Sequence, residues 1–224
     1  MDKQIGDWLA ELDDAGLREN TIVIYYSDHG GILPRAKRYI YDTGTHVPMI
    51  VQCPEKLAQM APGLPGSTSD RPVSFVDLAP TALSLAGVNI PQGMQGRAFL
   101  GKQKQEAAPY VFLFGQRFDA RMLRFVRAVT DGQYRYIRNF NPHRHRGILA
   151  GYPHSQSGWR SFYALQQAGK TDAAQSSFWK VPQPVEELYD TQNDPWEVTN
   201  LAGDPSHATR LETMRAATFE TMKD

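Results

Sequence analysis

The stretch from residue 21 to residue 51 constrains the fold more than any other part of the chain. It opens with residues 21–26, which are rich in β-branched and aromatic side chains and lack polar alternation. This pattern is typical of a parallel strand that is covered on both faces. Asp28 and His29 follow the strand, at the position where open α/β sheets place their ligands. A carboxylate next to an imidazole is a donor pair suited to a metal ion.

The tripeptide Asp28-His29-Gly30 also fits an ordinary turn, in which the aspartate caps backbone amides and the glycine takes a positive φ. The residues that follow favour a binding site. A cationic loop with Arg35 and Lys37 lies between this strand end and a second apolar strand at residues 49–51. Positive charge beside a metal-type pair suits an anionic substrate.

The composition is that of an ordinary globular chain. Its 224 residues are 41% hydrophobic, and 24 Lys and Arg balance 24 Asp and Glu. This size suits one large domain or two small ones, and zero net charge argues against nucleic acid as the main partner. No apolar run reaches membrane-spanning length, and the first residues lack the pattern of a signal peptide, so the compartment stays open.

The first hundred residues read as part of an α/β domain. Residues 1–17 have the apolar spacing of a helix, and the buried strand follows it. A helix followed by such a strand is half of a βαβ unit, whose preceding parallel strand is absent from the sequence. Without that preceding strand, the sheet has an exposed apolar edge, which predicts possible self-association. A second helix spans residues 75–85, with Asp77 as a cap near its start and Gly87 at its end.

Residues 101–224 read as a smaller α+β subdomain. Strand patterns at residues 110–114, 124–129 and 134–140, with a hairpin turn at 130–133, predict an antiparallel sheet. The pattern also predicts a surface helix, an edge strand and a terminal helix, at residues 159–174, 188–190 and 205–222. A basic loop contains His143, Arg144, His145 and Arg146. It fits either a rim that contacts a polyanionic sugar or an exposed basic loop without a ligand.

Several motifs, in this order along the chain, resemble those of sulfatases, which belong to the alkaline-phosphatase-like superfamily. They are SDHGG, LPRAK, YDTGTHVPMIV, VDLAPT, MQGR, DGQYRYI, ELYD and NDP, between residues 27 and 195. The resemblance is to the later part of a sulfatase. It implies an α/β fold in which residues 1–100 form part of a sheet with helices on both faces. Residues 101–224 would form the C-terminal α+β subdomain with antiparallel strands.

The resemblance also implies an activity, the hydrolysis of sulfate esters, here of a sulfated carbohydrate. Asp28 and His29 match metal-ligand positions, Lys37 matches a sulfate-contacting position, and Arg35, His143 and Arg144 are candidate substrate contacts. The implied metal is Ca²⁺, although imidazole is a softer donor than calcium prefers, so Zn²⁺ or another divalent ion stays open. Family resemblance also suggests a secreted or periplasmic protein.

The nucleophile of sulfatases is a formylglycine made from the cysteine of a Cys-x-Pro-x-Arg motif. The single cysteine, Cys53, is followed at once by Pro54, and Leu57 stands where the arginine would be. We therefore expect the formylglycine upstream of this chain, and we expect the chain alone to be inactive. Cys53 itself reads as a small apolar residue at a strand end.

Two other functions remain open from the sequence. The first is metal-dependent hydrolysis of phosphate esters in the same superfamily, with zinc bound by Asp28, His29 and His46. The second is a non-catalytic remnant that binds sulfated glycans. Zinc content with phosphomonoesterase activity would favour the first, and binding without cleavage would favour the second.

Overall fold

A computed structural model describes residues 1–117, 123–147 and 151–223. The α-helices in this part of the chain are α1 (Asp2–Asp14), α2 (Asp42–Thr45), α3 (Leu78–Ala86), α4 (Gly151–Ser155), α5 (Ser157–Gln167), α6 (Ala173–Ser177) and α7 (Ala208–Thr221). The strands are β1 (Val23–Tyr26), β2 (Met49–Gln52), β3 (Val111–Arg117), β4 (Leu123–Thr130), β5 (Tyr134–Asn139) and β6 (Glu186–Asp190). Short 3₁₀ helices lie at Arg18–Asn20, Glu55–Met60, Phe75–Asp77, Leu201–Gly203 and Pro205–His207. Within this part of the chain, no helix combines the length and the apolar character that crossing a membrane requires.

The described residues pack as two compact units. The first contains Met1–Ser27 and Pro48–Ala108, and the second contains Asp28–Val47 with the described part of Pro109–Asp224. The boundary between residues 100 and 101 stays a prediction. The second unit includes a segment from the N-terminal half of the chain, which carries the predicted metal pair and the cationic loop.

The first unit contains α1, α3 and the two short strands. Strands β1 and β2 pair antiparallel, with Val23 opposite Gln52 and Tyr26 opposite Met49. The expectation that this strand is covered on both faces is wrong for the described residues, in which Tyr26 is exposed. A preceding parallel neighbour stays a prediction. A parallel pair needs a crossover, usually a helix of some length, and the connection from β1 to β2 contains only the four-residue α2.

Helix α3 forms as the sequence predicts. Ser74 and Asp77 make reciprocal side-chain bonds to each other's backbone amides, a capping box that starts the preceding 3₁₀ turn. Gly87 ends the helix with a φ of 71°, a conformation that glycine adopts without steric cost. Asp77 also accepts a bond from the backbone amide of Arg97, at 2.8 Å. The cap prediction for Asp77 is confirmed, and the residue holds a neighbouring loop as well.

The second unit is built on an antiparallel sheet with the strand order β3-β4-β5-β6. The predicted hairpin joins β4 to β5, with Thr130 opposite Arg135, and β6 lies at the sheet edge beside β5. The prediction of a small antiparallel sheet with an edge strand is confirmed. The predicted terminal helix is present as the 3₁₀ turn at Pro205–His207 and α7.

Both faces of this sheet are covered. Neighbouring residues of a strand point to opposite sides, so the strands contribute side chains to a separate apolar cluster on each face. Val129, Tyr136 and Leu188 pack with Leu211 and Met214 of α7 on one face. The other face carries an aromatic-rich cluster of Tyr39, Ile40, Tyr41, Val126, Ala128, Ile137, Trp159, Phe178 and Tyr189. Residues 39–41, which follow Arg35 and Lys37 in the chain, therefore belong to the core of the second unit.

The helix predicted at residues 159–174 differs from the structure in two ways. It is divided into α5 and α6, and Trp159 is buried rather than lying on the surface. The ring of Trp159 lies 6.2 Å from that of Tyr39 and 6.0 Å from that of Phe178. The other side chains of α5 are exposed or half-buried, so the helix lies on the surface as predicted, while Trp159 packs against the face of the sheet that residues 39–41 also cover.

Candidate functional site

Residues 28–47 form a compact loop, which we call the site loop. Backbone hydrogen bonds close it: the Gly30 amide donates to the Gly44 carbonyl at 3.0 Å, and the Lys37 amide donates to the Gly31 carbonyl at 3.0 Å. The Thr43 hydroxyl donates to the Arg35 carbonyl at 3.0 Å. These bonds satisfy backbone groups that helices or strands would otherwise satisfy, so the loop can hold a fixed conformation.

Position 30 requires glycine, because the backbone of Thr43 approaches it closely. A Cβ placed on it would lie 1.8 Å from the Thr43 carbonyl oxygen, while a Cβ on Gly31 would meet nothing within 4 Å. We expect Gly30→Ala to lower the free energy of unfolding by at least about 1–3 kcal/mol, because the backbone must move to admit the methyl group. Gly31→Ala is the matched control and should change stability by less than about 0.5 kcal/mol. Urea unfolding of the complete protein measures both, and equal effects would contradict this account of the loop.

Asp28 and His29 lie together at the start of the site loop. His29 Nε2 is 3.1 Å from Asp28 Oδ2, and His29 Nδ1 is 2.5 Å from the Gly30 carbonyl oxygen. A carbonyl oxygen only accepts, so Nδ1 donates in that bond and Nε2 is the ring nitrogen that faces Asp28. Metal-ligating histidines are commonly oriented by such a bond from the other ring nitrogen.

These two residues fit part of a metal site. Asp28 Oδ2 and His29 Nε2 lie 3.1 Å apart, and both are atom types that bind divalent metal ions. Among the described residues, no group of three or more His, Cys, Asp or Glu side chains is arranged to hold a metal ion. The pair can therefore supply two donors to a larger ligand set.

The cationic turn of the site loop contains Lys37 and Arg38. Lys37 Nζ lies 5.1 Å from the centroid of the Tyr152 ring, and the Arg38 guanidinium carbon lies 5.3 Å from the same centroid. Arg35 and Arg38 have φ angles of 67° and 75°. Positive φ in residues other than glycine costs free energy, and such residues concentrate at functional sites. The turn thus presents concentrated positive charge on a strained backbone.

Arg35 uses its guanidinium within the protein. Its Nη1 donates to the Trp196 carbonyl at 2.7 Å and its Nη2 donates to the Glu197 carbonyl at 3.0 Å. The guanidinium carbon also lies 4.1 Å from the centroid of the Tyr41 ring. These contacts hold the turn, and a contact of Arg35 with substrate stays a prediction.

A buried ionic network contacts the site loop at residues 40, 42 and 45. It was not predicted from the sequence. Arg135 of β5 donates to Asp42 Oδ1 at 2.7 Å and to Thr45 Oγ1 at 2.8 Å, and it also donates to the Ile40 carbonyl. Its Nε lies 3.1 Å from Glu197 Oε1, an ion pair whose angle is not that of a hydrogen bond. The only sequence signal for this network is an arginine in the middle of a strand with apolar and aromatic neighbours.

The two carboxylates facing Arg135 differ in their acidity. Burial raises the pKa of Glu197 to about 7, although the Arg135 charge and the Asp42 amide act against this. Burial alone would also raise the pKa of Asp42, but the bond to His46 and the Arg135 charge lower it below its usual value. One arginine cannot fully compensate a buried and a half-buried carboxylate, and Glu197 Oε1 accepts no hydrogen bond from the described residues.

His46 does not join the metal-type pair. Its Nδ1 lies 3.1 Å from Asp42 Oδ2, one helical turn away, and its side chain is 77% exposed. This bond raises the pKa of His46. Within the described residues His46 is not grouped with Asp28 and His29 as a three-ligand site, so the structure gives the zinc alternative no third ligand from this histidine.

The basic loop at residues 143–146 divides into exposed and buried parts. His143 and Arg144 are exposed and available to a ligand, and their contact with substrate stays a prediction. The His145 ring lies 5.4 Å from that of Trp179, and Arg146 is buried with its Nη2 2.6 Å from Glu187 Oε2. Reading all four residues as one exposed loop is wrong, because Arg146 neutralises a carboxylate in the core.

Comparison with known proteins identifies the family. A family model described as Sulfatase matches residues 1–88. An ulvan-active sulfatase of Formosa agariphila is 40% identical over 96% of this chain and 35% of its own length. The N-sulphoglucosamine sulphohydrolase of Homo sapiens is 30% identical over 96% of this chain and 44% of its own length. A solved structure of a 2-O GAG sulfatase matches with a TM-score of 0.68 and 24% identity, over 99% of this chain and 40% of that one.

The chain therefore belongs to the sulfatase family, and the structural match confirms the predicted alkaline-phosphatase-like α/β fold. Members of this family generally use a divalent metal and a formylglycine. The chain spans less than half the length of these relatives.

Proposed function

We propose that the complete protein hydrolyses sulfate esters of a carbohydrate. The observation that carries this proposal is the site loop, which combines a metal-type pair and a cationic turn within residues 28–47. Sulfate transfer develops charge on the non-bridging oxygens, and fixed positive groups stabilise that charge best in a preorganised site. The relatives named for ulvan and N-sulphoglucosamine support sulfated sugars as the substrate class.

Lys37 is the residue that we assign to the sulfate group. Its side chain is half-buried beside Tyr152, and its backbone amide is bonded to Gly31. An ammonium on an anchored backbone donates charge-assisted hydrogen bonds to a sulfate oxygen. The exposed side chains of His143 and Arg144 would contact further anionic groups of a polymeric substrate.

Asp28 and His29 would hold the metal ion, which we propose to be calcium, with zinc or another divalent ion as the alternative. Such an ion supplies positive charge to the sulfate oxygens when bound. His29 would be held in its ligating orientation by the bond to Gly30. The 224 residues contain no Cys-x-Pro-x-Arg motif, and we propose that they have no turnover on their own.

Release of inorganic sulfate tests the proposal. We expect the purified complete protein to release sulfate from ulvan or from N-sulfated glucosamine. Asp28→Ala should lower the rate by at least about 100-fold, because one charged partner of the site is lost. Asp14→Ala removes an exposed carboxylate at the end of α1 and should leave the rate unchanged. Binding of these sugars without release of sulfate would favour the glycan-binding alternative.

A further inference from the structure

Glu197 contacts the site loop on both sides of Lys37. Its carbonyl oxygen accepts from Arg35 Nη2 at 3.0 Å, two residues before the lysine. Its carboxylate accepts from the backbone amide of Asp42 at 2.8 Å, five residues after the lysine. A single residue thus holds the two flanks of the turn that carries Lys37, from a point more than 150 positions along the chain.

The turn that presents Glu197 is held by its own hydrogen bonds. The Glu197 amide donates to the Asp194 carbonyl at 2.9 Å, and Asp194 Oδ2 accepts from the amides of Val198 and Thr199, each at 2.8 Å. Glu197 has a φ of 52°, which is unfavourable for a residue with a side chain. Its side chain is nevertheless buried, with only 2% of its surface exposed. The fold keeps a strained backbone and a poorly compensated carboxyl group at this position.

Arg135 also holds the site loop by hydrogen bonds. Its guanidinium faces Glu197 Oε1 and donates to Asp42, Thr45 and the Ile40 carbonyl. The two groups that contact the Glu197 carboxyl, the Asp42 amide and the Arg135 guanidinium, therefore belong to the site loop or are bonded to it.

We propose that Glu197 is a positioning residue for sulfate ester hydrolysis, which fixes the turn that carries Lys37 by holding both of its flanks. The proposal rests on the proposed function, because Lys37 is the group through which Glu197 acts. Positioning matters because a displacement of about 1 Å of a group that contacts the transition state can cost about 100-fold in rate.

Two variants of the complete protein separate positioning from bulk stability. Glu197→Ala removes the acceptor for the Asp42 amide and should lower kcat/KM for a sulfated sugar by roughly 10- to 100-fold, mainly in kcat. Glu197→Gln keeps a carbonyl acceptor of the same shape, and a carboxyl with a pKa of about 7 is partly protonated at neutral pH. We expect this conservative variant to remain within about 3-fold of the original rate.

Glu186→Ala is the matched control. Glu186 also carries an ion pair, with its Oε1 2.6 Å from Arg215 Nε, and it accepts from the Tyr136 hydroxyl at 2.6 Å. These partners lie on α7 and β5, and none belongs to the site loop. The control should lose stability without a fall in kcat/KM measured below its unfolding temperature.

A double-mutant cycle with Lys37 completes the test. If Glu197 acts through Lys37, then adding Glu197→Ala to Lys37→Ala should change kcat/KM by less than about 3-fold, since the group it positions is already gone. If the kcat/KM losses of the two single variants multiply in the double variant, or if Glu197→Gln is as slow as Glu197→Ala, the positioning role is overturned. An unchanged rate for Lys37→Ala alone would instead overturn the role of Lys37 in the proposed function.

Discussion

Replacing Lys37 by alanine in the complete protein is expected to lower kcat/KM for a sulfate ester by roughly one to three orders of magnitude. The ammonium lies on a turn whose backbone is bonded to Gly31 and flanked by two arginines with positive φ. A contact made to the transferring sulfate in the transition state should be lost from kcat as well as from kcat/KM. Steady-state rates of sulfate release measure both constants.

Lys170→Ala serves as the control for this substitution. Lys170 is exposed just beyond the end of α5 in the same compact unit, and its removal changes the net charge equally. We expect its rate to equal that of the unmodified protein. If Lys37→Ala and Lys170→Ala have the same rate, then Lys37 makes no contact with the sulfate group.

Replacing Glu187 by alanine is expected to destabilise the protein by about 3–5 kcal/mol, because the substitution leaves a buried arginine without its counter-charge. Glu187 is fully buried and accepts from Tyr41, Tyr189 and Asn139, with Arg146 Nη2 at 2.6 Å. Burial alone would raise the pKa of this carboxyl, but the Arg146 charge and the hydrogen bonds from Tyr189, Asn139 and Arg146 lower it. Glu187 has more partners than Glu197, so the two buried glutamates differ in the direction of their pKa shifts.

Urea or thermal unfolding of the complete protein measures the loss. Glu220→Ala is the control, since Glu220 makes an exposed ion pair with Lys223 and should cost no more than about 1 kcal/mol. Glu187→Met combined with Arg146→Met should recover part of the stability by removing both charges together. A loss below about 1 kcal/mol for Glu187→Ala would show that the network contributes little to the fold.

Local sequence patterns predicted the elements whose causes are local. Helix α3 is bounded by Asp77 and Gly87, and the β4–β5 hairpin turns at residues 131–133, because capping and turn residues act on their immediate neighbours. The direction of the β1–β2 pair could not be read in this way. An apolar run predicts a buried strand without indicating which neighbour pairs with it or in which direction.

In the candidate site, too, the local motif was predicted from the sequence and the distant contacts were not. The motif around Asp28, His29 and Lys37 lies within ten residues, so its spacing is visible in the sequence. The residues that hold it are distant in sequence: Arg135 lies 93 positions from Asp42, and Glu197 lies 155 positions from it. No local pattern links an arginine inside a strand to a glutamate after a proline turn. The buried network therefore became visible only when the fold had brought these segments together.

The most direct test of the proposed function compares sulfate and phosphate esters of the same sugar. We expect the purified complete protein to cleave the sulfate ester with the higher kcat/KM, and we expect Lys37→Ala to remove most of this preference. A higher kcat/KM for the phosphate ester, with zinc retained in the purified protein, would contradict the proposed function and would establish the phosphate-hydrolase alternative.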